Sequence, residues 1–430
     1  ARMCGFTGRI AIGLLLWTAL TACSLKATGW SPSYASSTSE TNELLKFEND
    51  DVGTNLITET DAALSRQKRF LSLLPAARAR APRCRSNDTS TIQGTCLTAT
   101  TCRRFGGMPQ GPGTCGIPAL QRIGECCLLE VTCGGTVSTI NNTQFVHPDA
   151  PENTTMPQLC EVNVPVFELC FIRLDFTNFT IHPPIRGSCI VDQFVVPELS
   201  FSMPMLCGYN NNTHAYLDVR GQEKITLRFN PGEWTGPRRW SINIARFTCE
   251  SETAPPPGCL QYYRGPREQI RSFNYNELSP NSSLMMAGLD YTVCVRREPR
   301  RCYTRWNADF FQLSAHRGNT TAKMGEQCHN ATRVIINEGY DISARRITFD
   351  RFCGDSFSAL AGSNKSTSVY TSSPPFQLRV KTPRHGSPDS FGTGFLLRYQ
   401  QLHCLDVPVS GVIARKDTDS LAWLEKFRIW

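Results

Sequence analysis

The sequence predicts an all-β protein: two diverged copies of one disulfide-stapled β domain behind a small disulfide-rich module. Three observations carry this. First, apolar and polar residues alternate with period two between cysteines, as at Ile172, Leu174 and Phe176, which is a strand signal. Second, the cysteine order repeats. Cys133, Cys160, Cys170, Cys189, Cys207 and Cys249 are spaced 27, 10, 19, 18 and 42; Cys259, Cys294, Cys302, Cys328, Cys353 and Cys404 are spaced 35, 8, 26, 25 and 51. Third, six further cysteines crowd into residues 84–127. Twenty cysteines in 430 residues favour an oxidising compartment, since cytosolic thiols are kept reduced.

The flanks of the two copies agree as well. Cys170-Phe-Ile-Arg-Leu is echoed by Cys302-Tyr-Thr-Arg-Trp, and Cys207 and Cys353 are each followed by glycine. Trp240 to Cys249 matches Phe395 to Cys404 in length and alternation. On Cys133-Gly-Gly135, Phe145-Val-His-Pro148, Cys189-x-x-Asp192, Cys207-Gly208 and the closing aromatic strand, each copy resembles a CUB domain, an antiparallel β-sandwich of extracellular proteins. The resemblance makes the fold class two disulfide-stapled antiparallel β-sandwiches. It implies the pairs Cys133–Cys160 and Cys189–Cys207, then Cys259–Cys294 and Cys328–Cys353. Cys170, Cys249, Cys302 and Cys404 are left at equivalent places, so one extra bridge per domain is expected, Cys170–Cys249 and Cys302–Cys404. That arrangement looks like a secreted arthropod CUB group. Closing loops this long stabilises by about 4–5 kcal/mol in the chain-entropy account.

In chain order, Arg2 and Arg9 precede a short apolar run, Ile10 to Leu20, and then small residues. This reads as a secretory signal over residues 1–23. Leu20-Thr-Ala-Cys23 also fits a bacterial lipoprotein box, against which the glycosylation pattern below argues. Removing Cys4 and Cys23 leaves an even eighteen cysteines. No later run is long enough for a membrane span, so no membrane anchor is expected. Residues 24–69 read as an acidic, disordered, cysteine-free propeptide ending at Arg66-Gln-Lys68-Arg69. That motif resembles a furin-type convertase site, and cleavage there starts the mature chain at Phe70.

After a linker at 70–83, residues 84–127 form a compact cysteine module. Its Gly94-Thr-Cys96-x5-Cys102 step and adjacent Cys126-Cys127 resemble a clip domain, a small arthropod disulfide knot. Six cysteines allow fifteen connectivities; the resemblance implies Cys84–Cys126, Cys96–Cys115 and Cys102–Cys127. So short a segment needs such staples to fold. No Gly-Asp-Ser-Gly-Gly or Ala-Ala-His-Cys of a trypsin-like protease follows, so the clip-like module reads as a docking or adaptor piece. The copies span 133–249 and 259–404. Between them, residues 250–258 carry Pro255-Pro-Pro257 and predict a short, stiff, extended spacer. Residues 405–430 form a tail with no assigned role.

The residues that carry chemistry point to binding. Nine glycosylation sequons stand at Asn87, Asn141, Asn153, Asn178, Asn211, Asn281, Asn319, Asn330 and Asn364, against about four by chance. Many CUB domains hold Ca²⁺ through a Glu, the Asp at Cys-x-x-Asp, and a later Asp. Here Asp192 is present, but the loop before Cys189 has no Glu and the later position falls near Asn230, so no metal or other cofactor is expected. Arg296, Arg297, Arg300, Arg301 and Arg305 cluster around Cys302 with Trp306 beside them, and Arg238-Arg239 lie between Trp234 and Trp240. Basic and aromatic residues together suit sulfated glycans or acidic partner surfaces. The bland alternative is a solvated strand-and-turn face. No nucleophile elbow, phosphate loop or His-Glu-x-x-His is present, and no nucleic-acid-binding module goes with the net charge of +8. The sequence therefore predicts a non-enzymatic secreted glycoprotein that binds extracellular proteins or acidic glycans. It serves as adaptor or regulator of a clip-protease cascade or, alternatively, as a matrix or receptor-associated component.

Overall fold

A computed structural model of the chain describes residues 82–85, 93–111, 115–117, 122–148, 159–200, 202–314, 321–344, 347–384, 391–409 and 412–415. All of them belong to one compact unit, Leu64–Trp430. The signal, the propeptide, the Arg66, Lys68 and Arg69 cleavage motif, and Asn87, Asn153 and Asn319 lie outside the described residues.

The cysteine module comprises β1 (Arg83–Arg85), β2 (Gln93–Leu97), helix α1 (Ala99–Arg104), β3 (Met108–Pro109), β4 (Cys115–Ile117) and β5 (Arg122–Val131). Thr98 caps the helix by accepting the Thr101 amide. Bridges Cys84–Cys126 and Cys102–Cys127 tie β1 and α1 to β5, and Cys96–Cys115 ties β2 to β4. The module is not a detached bead. β5 runs on beyond the knot, and Leu129, Glu130 and Val131 pair in parallel with Thr143, Gln144 and Phe145 of the next strand. Polar side chains seal the joint: Thr95 Oγ1 donates to the Asn141 carbonyl at 2.6 Å and Gln144 Nε2 to the Gln93 carbonyl at 3.1 Å.

The first sandwich follows with β6 (Thr143–Val146), β7 (Cys160–Pro165), β8 (Phe171–Thr180), β9 (Gln193–Val195), β10 (Thr213–Asp218), β11 (Lys224–Asn230) and β12 (Arg239–Phe247). One sheet has the order β1-β2-β5-β6-β12-β8-β10, and β7-β11-β9 form the other. Alternation sends Ile172, Leu174 and Phe176 of β8 inward, all fully buried. They meet Phe145, Phe194, Phe229 and Trp240, with Phe229 stacked on Trp240 at 3.9 Å. Bridges Cys133–Cys160, Cys170–Cys249 and Cys189–Cys207 staple it.

The second sandwich contains β13 (Cys259–Tyr263), β14 (Arg267–Arg271), β15 (Asp290–Val295), β16 (Arg301–Gln312), β17 (Ala322–Met324), β18 (Arg333–Gly339), β19 (Phe349–Gly354), β20 (Val369–Thr371), β21 (Gln377–Lys381) and β22 (Gly394–His403). Its sheets are β13-β15-β21-β18-β19-β17 and β14-β22-β16-β20. Trp306, Tyr399, Phe352 and Phe357 fill the space between them. Bridges are Cys259–Cys294, Cys302–Cys404 and Cys328–Cys353. The tail begins with a hairpin of β23 (Asp406–Val409) and β24 (Val412–Arg415).

The expected extended spacer is not what forms. Residues 250–258 turn on themselves, with Ala254 N donating to Ser251 O at 2.9 Å and Pro255 buried. The cause is packing: Ala254, Tyr262 and Cys259 close over Phe171, Tyr216 and Phe247 of the first sandwich. The sandwiches also bond directly. Asn274 N donates to Asn210 Oδ1 and Tyr209 N to Asn274 Oδ1, each at 2.9 Å. Gly208 permits this approach, because a Cβ there would stand 1.9 Å from Asn274 Oδ1 and its φ is +75°. Nearby His214 accepts the Tyr262 amide at 3.1 Å. Burial, aided by the Arg173 charge, lowers its pKa to about 3 against the opposing effect of Asp175.

Candidate functional site: a basic corner of the second sandwich

The corner is built around Gln401, which is 1% exposed. Its Nε2 donates to the carbonyls of Gly265 at 2.9 Å and Arg296 at 2.8 Å, while its Oε1 accepts the Glu298 amide at 2.9 Å. Its backbone amide donates to Pro266 O at 2.8 Å. One buried amide thus joins two connections distant in sequence, the β13–β14 turn and the β15–β16 turn. Each connection carries arginines. The first brings Arg264 and, at the start of β14, Arg267; the second brings Arg296, Arg297, Arg300 and Arg301. The Cys302–Cys404 bridge holds the second turn, where Arg300 adopts a positive φ of 59°.

The arginines differ in what holds them. Arg296 pairs with Glu298 at 2.7 Å, and that hydrogen bond raises its pKa. Arg297 donates to the Arg301 carbonyl at 2.6 Å, and Arg301 to the Gln401 carbonyl at 3.3 Å. Among the described residues Arg264, Arg267 and Arg300 make no ion pair or side-chain hydrogen bond, and all three are exposed. Arg305 points from β16 to the outer face, where Nη2 meets Gln400 Oε1 at 2.5 Å.

Trp306 is a correction. Read from sequence as part of the binding cluster, it is fully buried against Tyr399 at 5.9 Å. Period two decides this: Arg305 faces out, so Trp306 faces the core. Arg264 and Arg267 were missed because their turn shows only two separated arginines in sequence, and no local pattern links it to residues 296–301.

The aromatic and basic stretch of the first sandwich is structural. Arg238 lies over Trp234 at 5.2 Å and grips Asp192 with two hydrogen bonds of 2.8 Å. Asp192 also accepts the amides of His182 at 2.9 Å and Gly232 at 3.1 Å. Burial acts to raise its pKa, but the Arg238 bonds, the two amides and the Arg238 charge outweigh it and hold the carboxyl below its ordinary value. Both carboxylate oxygens are therefore committed to protein donors. Among the described residues no cluster of three or more metal-ligating side chains occurs.

Among the sequons, Asn330 and Asn364 are exposed, Asn178 and Asn211 are half-buried, and Asn281 sits in the turn Pro280–Ser282. Asn141 is a second correction. It is 4% exposed, its Oδ1 accepts the Arg246 amide at 2.8 Å, and its Nδ2, the atom a glycan requires, faces the Arg246 carbonyl at 3.5 Å. A folded domain has no room for a sugar there.

Residues 256–402 match the Animal CUB domain family. The second sandwich is a CUB domain. No curated protein matches the chain. Among solved structures, the CUB1-EGF-CUB2 domains of rat MASP-1 are similar at 12% identity and a TM-score of 0.21, over 64% of this chain and 99% of that one. The CUB1-EGF-CUB2 domain of human MASP-1/3 gives 11% and 0.19, over 60% and 98%. The full extracellular region of zebrafish Gpr126/Adgrg6 gives 13% and 0.23, over 67% and 40%. CUB domains are non-catalytic binding modules, and this CUB domain and the disulfides around it are of a kind typical of extracellular proteins. Among the described residues no helix is long and apolar enough to cross a membrane. The basic corner lies on the CUB domain itself.

Proposed function

We propose that the chain is a secreted, non-enzymatic glycoprotein that binds extracellular partners, with the basic corner of the CUB domain as its contact surface. The observation that carries this is the convergence of two arginine-bearing turns on buried Gln401, with Arg264, Arg267 and Arg300 left unpaired among the described residues. Turns pinned by Gln401 hold the arginine backbone in place before binding, and the planar guanidinium fork loses less freedom per hydrogen bond than a flexible ammonium, which favours affinity for acidic surfaces. The first sandwich, with its matching cysteine order, is a second CUB copy in this reading. The clip-like knot supports the finer role of adaptor or regulator in a clip-protease cascade. The basic corner favours the second role, a component of the extracellular matrix.

The test is affinity capture from native extracellular fluid with tagged protein starting at Phe70. Recovery of clip-domain protease zymogens supports the adaptor, and recovery of matrix glycoproteins the matrix role. Absence of any partner lost on reversing Arg264, Arg267 and Arg300 to Glu would sink the reading.

A further inference from the structure

The basic corner continues onto the outer face of β14, β22 and β16, beside a patch of that face where Tyr303, Leu402 and Tyr370 pack with Tyr340 and Ile342. Register places Arg267, Gln400 and Arg305 side by side on three neighbouring strands, with Gln269, Arg398 and Asn307 forming the next rung. Directly opposed residues of antiparallel neighbours share a face. This face looks away from the core, because Ile270, Trp306, Leu397 and Tyr399 occupy the other side. Strand spacing puts the Cα atoms of Arg267 and Arg305 about 10 Å apart and the two rungs about 7 Å apart. The strip is thus flat and polar, with guanidinium groups at intervals and amides between them.

Two features narrow the ligand. Every cation named on the corner and strip is arginine, with no lysine among them. The guanidinium fork matches oxyanions bidentately and sheds water more readily than ammonium. Two forks are already aimed: Gln400 Oε1 holds Arg305 at 2.5 Å, and Asp309 holds Arg398 at 2.6 Å. The aromatics beside Arg305, Tyr370 and Tyr303, are packed with Tyr340 and Leu402, and Tyr370 is only 6% exposed. Acids near it are engaged or turned away: Asp309 pairs with Arg398, Glu277 with Arg271 and Glu298 with Arg296, and Glu268 lies on the opposite face of β14.

We propose that this strip is a track for a linear sulfated polysaccharide, which crosses Arg267, Gln400 and Arg305 and leaves over the unpaired arginines of the corner. Sulfates meet the guanidinium groups, and Gln269, Gln400 and Asn307 exchange hydrogen bonds with sugar hydroxyls. The inference rests on the reading of the chain as an extracellular binding protein and names the ligand class of the same surface.

The test is salt elution from immobilised heparin, with immobilised unsulfated hyaluronan as the comparison. Wild-type protein is retained on heparin and not on hyaluronan. Exposed Arg267→Glu and half-buried Arg305→Glu each weaken heparin affinity about fivefold or more, as expected for one surface charge contact. The same reversal at Arg239, an exposed arginine of the first sandwich, leaves elution unchanged. The pair Arg267→Lys/Arg305→Lys keeps the charge yet loses part of the retention, which tests the fork. Unchanged thermal unfolding confirms that the variants fold. Equal elution of Arg267→Glu and Arg239→Glu, or equal retention on hyaluronan, overturns the track. Failure to bind heparin together with capture of a protein partner that Arg267→Glu abolishes overturns the polysaccharide and leaves the binding function standing.

Discussion

Replacing Arg238 with methionine should destabilise the first sandwich strongly. The wild-type pair is almost sealed from water, with side-chain exposures of 10% for Arg238 and 3% for Asp192. Removing one partner of a buried ion pair typically costs 3–5 kcal/mol, because the other charge stays desolvated. Two amides, from His182 and Gly232, still bond Asp192, so about 3 kcal/mol is expected. For a body of this size, Leu64–Trp430, that lowers the unfolding midpoint by roughly 4 °C. Amide exchange at His182 and Gly232 should accelerate in step. Adding Asp192→Leu removes the stranded charge, so the double variant should be less unstable than the two single losses summed, by about 2 kcal/mol. The pH dependence gives an independent check. In the wild type the carboxyl is held below its ordinary value, so its contribution is present above the unfolded pKa near 3.9 and is lost as pH falls through the folded value. In Arg238→Met burial acts without its counter-charge and pushes the carboxyl up, so the deficit should shrink as pH drops toward 4. A loss under 1 kcal/mol, strictly additive single effects, or a deficit that grows with acid would each refute the argument that this pair is an electrostatic lock.

Further outcomes follow from the junction and the sequons. His214 stays neutral in the folded protein down to about pH 3, whereas an unfolded histidine protonates near 6.5. The unfolded state then binds more protons, so stability is full above pH 6.5 and falls on acidification, by about 2 kcal/mol at pH 5. His214→Gln should flatten the fall of the unfolding midpoint between pH 6.5 and 4, and an unchanged slope would exclude His214 as its source. Gly208→Ala sets a Cβ 1.9 Å from Asn274 Oδ1 at a φ of +75°. Strain plus the broken Tyr209–Asn274 bond should cost about 3 kcal/mol, read by urea unfolding, and an unaffected midpoint would contradict the close contact. Glycopeptide mapping should find sugar on Asn330 and Asn364 and none on Asn141. Occupied Asn141 would show that the Thr95–Asn141–Arg246 joint does not form.

The all-β class and the CUB character of residues 256–402 were legible in the chain, because strand alternation and cysteine order are local, one-dimensional patterns. The arginine-rich turn at 296–301 was legible for the same reason. What lay beyond the sequence was the fate of each side chain once distant strands met. Trp306 and Arg305 are neighbours in the chain but face opposite sides of β16. Arg238 reads as a free basic residue until the fold brings Asp192 against it from forty-six positions away. Asn141 reads as a glycan acceptor until Arg246 takes up its amide from 105 positions away. Three prolines suggest a stiff spacer, and the apolar contact of Tyr262 with Tyr216 and Phe247 folds the linker instead. Arg264 and Arg267 join the basic corner only because Gln401, buried and bonded on every polar atom, pulls two turns together. Composition and periodicity record which residues tend to be inside. Which polar groups find each other there depends on sheet register and long-range hydrogen bonds, and these exist only in the folded protein.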